Sequence, residues 1–210
     1  MKTKILLLVR VLFLTSILGC KSCTKSDSPV SPTISGVLIP LKIGNKWIYQ
    51  DKQFDNPINP KIGKDTLYII KDTIINGETW YIPYGEINIP CINRSDGFYS
   101  MLPDSLQNFN ITLLFKYPAN IGDMWNTGDS NREGNYTLLS KNDTVTVTAG
   151  TFICYKYQSE SQFSDILLYQ KSLFWICPGI GEIKIEDWES FDTNKLSLYH
   201  SSELLSYELK

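Results

Sequence analysis

Polar and apolar residues alternate along much of this chain. Glu182-Ile183-Lys184-Ile185-Glu186 and Thr144-Val145-Thr146-Val147-Thr148 keep a strict period of two, the spacing of strands with one buried face. Thr66-Leu67-Tyr68-Ile69-Ile70 and Ile166-Leu167-Leu168-Tyr169 are apolar at both parities, which predicts more central strands covered on both faces. Asn76-Gly77 separates two strand-like runs, Asp72–Ile75 and Thr79–Ile82, and such a dipeptide is the strongest short-range hairpin signal. Ala149-Gly150 and Pro178-Gly179 mark two further turns. Helical spacing is scarce, with one short turn expected at Pro103–Phe109. Long connections are expected at Phe54–Lys61 and Gly122–Asn135. The pattern is that of a mainly β protein, an antiparallel sheet with short helical turns only.

One stretch recurs. Pro40-Leu41-Lys42-Ile43-Gly44-Asn45-Lys46-Trp47 matches Pro118-Ala119-Asn120-Ile121-Gly122-Asp123-Met124-Trp125, with Pro, Ile, Gly and Trp at identical spacing. Each copy precedes a strand–turn–strand unit, Leu67–Ile82 and Tyr136–Tyr157. Two similar halves, starting at 40 and 118, are one reading; a local device that seats a Trp is the other. Either way the Pro-x-x-Ile-Gly turn should lead into a strand whose Trp is buried. The repeat is too long for a solenoid, whose period is roughly 20–50 residues.

The N-terminus has a different pattern. Lys2, Lys4 and Arg10 flank short apolar runs, and Thr15, Ser16 and Gly19 follow, the layout of a secretory signal peptide. The apolar stretch falls short of the roughly 20 residues that span a bilayer. Ile17-Leu18-Gly19-Cys20 resembles the lipobox of bacterial lipoproteins. That resemblance implies a diacylglycerol on the Cys20 thiol, cleavage before it and acylation of the new amine. An ordinary signal peptide and an uncleaved anchor are the alternatives. Since each buried CH₂ contributes about 0.8 kcal/mol, two or three chains would anchor the protein lastingly. Lys21, where Asp would favour inner-membrane retention, points to the outer membrane by the same resemblance. Residues 20–36 are rich in Ser, Thr, Pro and Lys, too polar to order themselves, and read as a flexible tether. One β domain, 37–210, is expected to follow.

The formal net charge of −2 falls to about −5 once the three cationic residues of 1–19 are removed. No basic patch offers a nucleic-acid footprint, so nucleic acid is excluded as a partner. Of the five cysteines, Cys20 is assigned to the lipid. Cys23, Cys91, Cys154 and Cys177 allow three pairings. Free thiols are favoured, with Cys91–Cys177 as the alternative bond.

Three motifs in order resemble a loose family of bacterial lipoproteins found in Bacteroidetes-like genomes: Pro40–Tyr49 as PLxxGxxWxY, Ala149-Gly150-Thr151-Phe152 as AGTF, and Trp175–Gly181 as WxxPGxG. The resemblance spans roughly 38–190. It implies an antiparallel sheet curved into a half-barrel or sandwich and transfers no catalytic residue.

Candidate chemistry is sparse. His200 is the only histidine and reads as a hydrogen-bonded structural residue. No phosphate loop or G-x-S-x-G is present. Glu182, Glu186 and Asp187 form an acidic cluster; the alternation with Ile183 and Ile185 makes them a solvated strand face. Asp129, Asn131 and Glu133, with Gly134 after them, copy the start of a calcium loop, but Ser140 stands where its bidentate Glu belongs, and a polar hairpin loop is the plainer reading. Five Trp and twelve Tyr imply an aromatic β-core, with Trp188 the best candidate for an exposed, ligand-stacking ring. No cofactor is expected. These features together predict a lipid-anchored cell-envelope domain that binds rather than catalyses, its partner a lipid, a glycan or an envelope protein. The alternatives are a carrier of apolar ligands and a glycoside-type hydrolase with paired carboxylates.

Overall fold

The computed structural model describes residues 29–30, 36–55, 58–84, 88–103, 109–127, 132–163, 168–190 and 195–210. The signal peptide, Cys20, Cys23, Asp129, Asn131, Ile166 and Leu167 of the expected strand Ile166–Tyr169, and residues 104–108 of the turn expected at Pro103–Phe109 lie outside these residues; Pro103 and Phe109 themselves belong to strands. Of Glu133 only the backbone is described.

Twelve strands form one antiparallel sheet: β1 (Lys46–Gln53), β2 (Lys61–Ile75), β3 (Glu78–Tyr84), β4 (Cys91–Arg94), β5 (Gly97–Pro103), β6 (Phe109–Lys116), β7 (Met124–Asn126), β8 (Arg132–Val147), β9 (Gly150–Phe163), β10 (Leu168–Cys177), β11 (Gly181–Ser190) and β12 (Ser197–Glu208). Their order is β6-β5-β4-β3-β2-β1-β12-β11-β10-β9-β8-β7. Each half is a six-strand meander, and β1 of the first half pairs with β12 of the second. The two halves therefore follow one another along the sheet. The expected long connection at 122–135 is interrupted by β7 and by the start of β8.

The repeated turn is built alike in both halves. Gly44 and Gly122 have φ of 93° and 87°, a conformation open mainly to glycine. The Gly44 N–H donates to Ile69 O at 2.9 Å and the Ile69 N–H to Asn45 O at 2.9 Å. In the second half the Gly122 N–H donates to Leu138 O at 2.8 Å and the Leu138 N–H to Asp123 O at 3.1 Å. In the first half this clamp falls where β2 changes partner. Lys61–Tyr68 pairs with β1, Tyr68–Ile75 pairs with β3, and the register slips at Ile70.

The hairpin at Asn76-Gly77 forms with both residues at positive φ, 53° and 81°, as a type I′ turn requires. The second hairpin turns at Thr148-Ala149, and Gly150 already opens β9. Val30, inside the expected tether, is held on the sheet. Its N–H donates to Thr151 O at 2.8 Å and its carbonyl accepts from the Ile153 N–H at 3.0 Å.

The sheet curls so that its ends meet. Phe115 of β6 lies 5.2 Å from both Tyr157 and Phe174, centroid to centroid, and 6.0 Å from Tyr136. The Tyr157 hydroxyl donates to Lys116 O at 2.9 Å, and the Trp125 indole N–H to Leu113 O at 3.1 Å. These side chains bridge the seam between β6 and β7, which share no ladder. A single curled, unclosed sheet has one inner face and no second layer. That overturns the expectation of two covered faces at Thr66–Ile70: Tyr68 and Ile70 are over one-third exposed on the outside, while Ile69 is buried.

Candidate functional site

The inner face is not filled. A cavity of about 480 Å³ lies within the curl, inside the roughly 300–1,000 Å³ range of small-molecule sites. One wall is apolar. Ile39 and Leu41 come from the segment before β1, Pro83 and Ile89 from either side of the β3–β4 link, Phe98 from β5, Leu114 and Phe115 from β6, and Phe174 from β10. Ser100 is the polar side chain that β3–β6 contribute, and its hydroxyl faces Pro90 O at 3.3 Å. Trp47, Leu67 and Ile69 carry the apolar lining on to β1 and β2.

The opposite wall is polar and is made where the two halves join. Tyr49, Asp51 and Gln53 alternate along β1, Asp65 faces in from β2, Glu182 from β11, and His200 and Ser202 from β12. Pairing sets this wall: Asp51 stands opposite Ser202, and Gln53 opposite His200. His200 Nδ1 lies 2.8 Å from Asp187 Oδ2, and Nε2 lies 3.7 Å from Asp51 Oδ1. His200 is thus hydrogen-bonded as expected, but it also faces the cavity. The Asp187 hydrogen bond raises its pKa; partial burial opposes this, and the charges of Asp187 and Asp51 add to the rise.

Glu182 departs from the solvated face expected of it. Trp175 stands opposite Lys184 while Ile176 stands opposite Glu182, so Ile183 is an extra residue. A one-residue slip reverses the facing of what lies beyond it. Glu182 therefore turns inward with Ile185, whereas Glu186 stays outside, its Oε1 2.9 Å from Lys184 Nζ. Enclosure pushes the Glu182 carboxyl up to about 8; Asp187 and Asp51 add to this and His200 opposes it. Burial raises the Tyr49 phenol well above its usual range, with Glu182, Asp65 and Asp51 adding to it. Its hydroxyl donates to the Glu182 carbonyl at 3.3 Å.

The cavity end of β1 is fixed by Trp47. Its ring is buried and its N–H donates to Ile180 O at 2.7 Å. Gly181 has φ of +113°, and a Cβ there would sit 3.2 Å from the Trp47 indole nitrogen. Trp80 and Trp175 are also buried, and Trp125 is half-buried. Trp188 is half-buried, away from the cavity lining, and its indole nitrogen is enclosed without a hydrogen-bond partner among the described residues. Cys91, Cys154 and Cys177 are buried free thiols. Among the described residues no group of three or more His, Cys, Asp and Glu has the arrangement of a metal site.

The curled twelve-strand sheet is similar to that of a protein from Bacteroides fragilis described as exported and having a YmcC-like fold, with a TM-score of 0.52, 15% identity, and coverage of 82% of this chain and 99% of that one. That likeness is one of fold. A protein from Parabacteroides distasonis described as a lipoprotein gives a TM-score of 0.49 at 13% identity, over 82% of this chain and 98% of its own. No protein-family model matches the chain, and no curated protein matches it.

Proposed function

We propose that this protein is a lipid-anchored cell-envelope domain that binds an apolar or amphiphilic small molecule inside its curled sheet. The observation that carries the reading is the cavity of about 480 Å³ with its aliphatic and aromatic wall. A ligand chain seated against this lining would gain van der Waals contacts with its aliphatic and aromatic side chains. The lipobox-like Ile17–Cys20 supports anchoring at Cys20, and Lys21 favours the outer membrane.

Binding is tested with the full chain carrying Cys20→Ser and 1-dodecanol, followed by Trp fluorescence and calorimetry. Ile69→Trp, which narrows the cavity beside Trp47, should weaken binding while the β-sheet circular dichroism stays intact. Equal binding by this variant would remove the cavity as the site. Anchoring is tested separately by palmitate labelling, fractionation and protease shaving of cells. A Cys20→Ala protein that still labels and stays membrane-bound would overturn it.

A hydrolase with paired carboxylates draws on the same polar wall, where Glu182 holds its proton beside Asp51. Among the described residues, the Ser100 hydroxyl and the Cys91 thiol are what β3–β6 offer to sugar hydroxyls, which favours the apolar ligand. Aryl-glycoside release that disappears in Glu182→Gln would reverse that preference.

A further inference from the structure

The two walls of the cavity differ in charge as well as polarity. Asp51, Asp65 and Glu182 face the interior from β1, β2 and β11, and Asp187 stands beside His200 at the paired position on β11. Against these four carboxyl groups stands one basic side chain among the described residues, His200; no described Lys or Arg lines the cavity. The nearby Lys184 is on the outer face, held between Glu186 and Glu203 at 2.9 and 3.4 Å. Asp65 accepts the Thr66 N–H at 2.7 Å, and Asp51 faces the His200 ring. The Glu182 side chain is half-buried and lines the cavity, and among the described residues its carboxyl takes part in no hydrogen bond or ion pair.

We infer that the ligand is an amphiphile whose head is a protonated amine, seated among Glu182, Asp51 and Asp65, with its aliphatic chain against Trp47, Ile69 and Phe115. This rests on the cavity-binding reading above and names the head group that such a ligand carries. An enclosed ammonium needs anionic acceptors, because an unpaired charge is expensive away from water. The polar wall supplies three. A carboxylate or phosphate head would meet the same acidic groups, with His200 the one basic side chain described there and already held by Asp187 and Asp51, and a zwitterionic head would bring its own anion. A hydroxyl head gains hydrogen bonds but no charge pairing. The ammonium also displaces the Glu182 proton: Glu182–COOH loses H⁺ to the buffer, and the carboxylate pairs with the amine already protonated in solution.

The test uses the full chain carrying Cys20→Ser and three probes of equal chain length at pH 7: dodecylammonium, 1-dodecanol and dodecanoate. Calorimetry in two buffers of different ionisation enthalpy counts the protons released. Dodecylammonium should bind at least tenfold tighter than dodecanol, with dodecanoate weakest and about one proton released per amine bound. Glu182→Gln should lose tenfold or more for the amine, keep its affinity for dodecanol and release no proton. Asp51→Asn, a second variant on a different strand, should weaken the amine selectively as well. Equal affinity for amine and alcohol, or preference for dodecanoate, would overturn the head-group assignment and leave the cavity reading standing. Failure of all three probes would overturn both.

Discussion

Replacing Glu182 with Gln should make the protein more stable at high pH, which is unusual for removal of a charge-bearing residue from a polar cluster. A glutamate ordinarily titrates near 4.5, and in the folded chain Glu182 is held to about 8, by enclosure first and by Asp187 and Asp51 next. Between those values the folded state binds more protons than the unfolded one, so stability falls as pH rises. At about 1.4 kcal/mol per pH unit the full displacement amounts to roughly 4–5 kcal/mol. Water entering the cavity relaxes part of this, so about 2 kcal/mol is the working expectation, or about 4–8 °C in melting temperature for a chain of this size. His200 acts in the same direction over a higher window, since its raised pKa stabilises below about 6.5 and the effect is lost as pH rises through the folded value. The Glu182 contribution is therefore separable between pH 4.5 and 6.5. Urea unfolding of both proteins from pH 4 to 9 tests this. The wild type should lose stability steadily while Glu182→Gln gives a flatter curve, equal near pH 4 and higher at pH 9. A variant less stable than wild type at pH 9 would mean that Glu182 is ionised and paired in the native state, and the account of the polar wall would fail.

Three further outcomes follow from the geometry. Gly181→Ala should cost about 2 kcal/mol in urea unfolding, because φ of +113° strains an L side chain and its Cβ would press on the Trp47 nitrogen at 3.2 Å; wild-type stability in this variant would exclude that contact as a constraint. Asn45→Ala should lose about 2–4 kcal/mol, since its buried side chain donates to Pro40 O at 2.9 Å and accepts the Lys210 N–H at 2.8 Å. Asp123→Ala, at the more open counterpart, should lose much less, as a solvent-screened group does, so similar losses at the two sites would refute the burial argument. Cys91, Cys154 and Cys177 should resist a thiol reagent in the native state and react on unfolding, because burial raises all three, Cys91 to about 12 and Cys177 to about 11; labelling of folded protein within minutes would contradict this.

Much of the fold is legible in the residue pattern. Period-two alternation marks strands because facing is a local property, and Asn76-Gly77 specifies its turn because few other pairs accept positive φ twice. The Pro-x-x-Ile-Gly repeat is a real structural device: both copies clamp a long strand through the same two backbone bonds. Where local reading fails, the cause is long-range. Thr66–Ile70 looks doubly buried because its composition is apolar, but no second layer exists to cover Tyr68 and Ile70. Val30 looks like tether because its neighbours are polar, yet a partner over 120 residues away holds it. Glu182 looks solvated because it alternates with Ile183 and Ile185, and an extra residue opposite β10 turns it inward.

The candidate site shows the same division. By itself the sequence determined the strands, the turns that end them, the repeated clamp and an aromatic core, since each depends on residues close together in the chain. It held no mark of the polar wall: Asp51, Asp65, Glu182 and His200 sit in four separate runs with no common spacing. Only the pairing of β1 with β12, and the curl that brings β6 against β8–β10, decided that these four face one cavity. Pairing between distant strands and the curvature of a whole sheet are summed over many weak contacts, and no short stretch of residues encodes them.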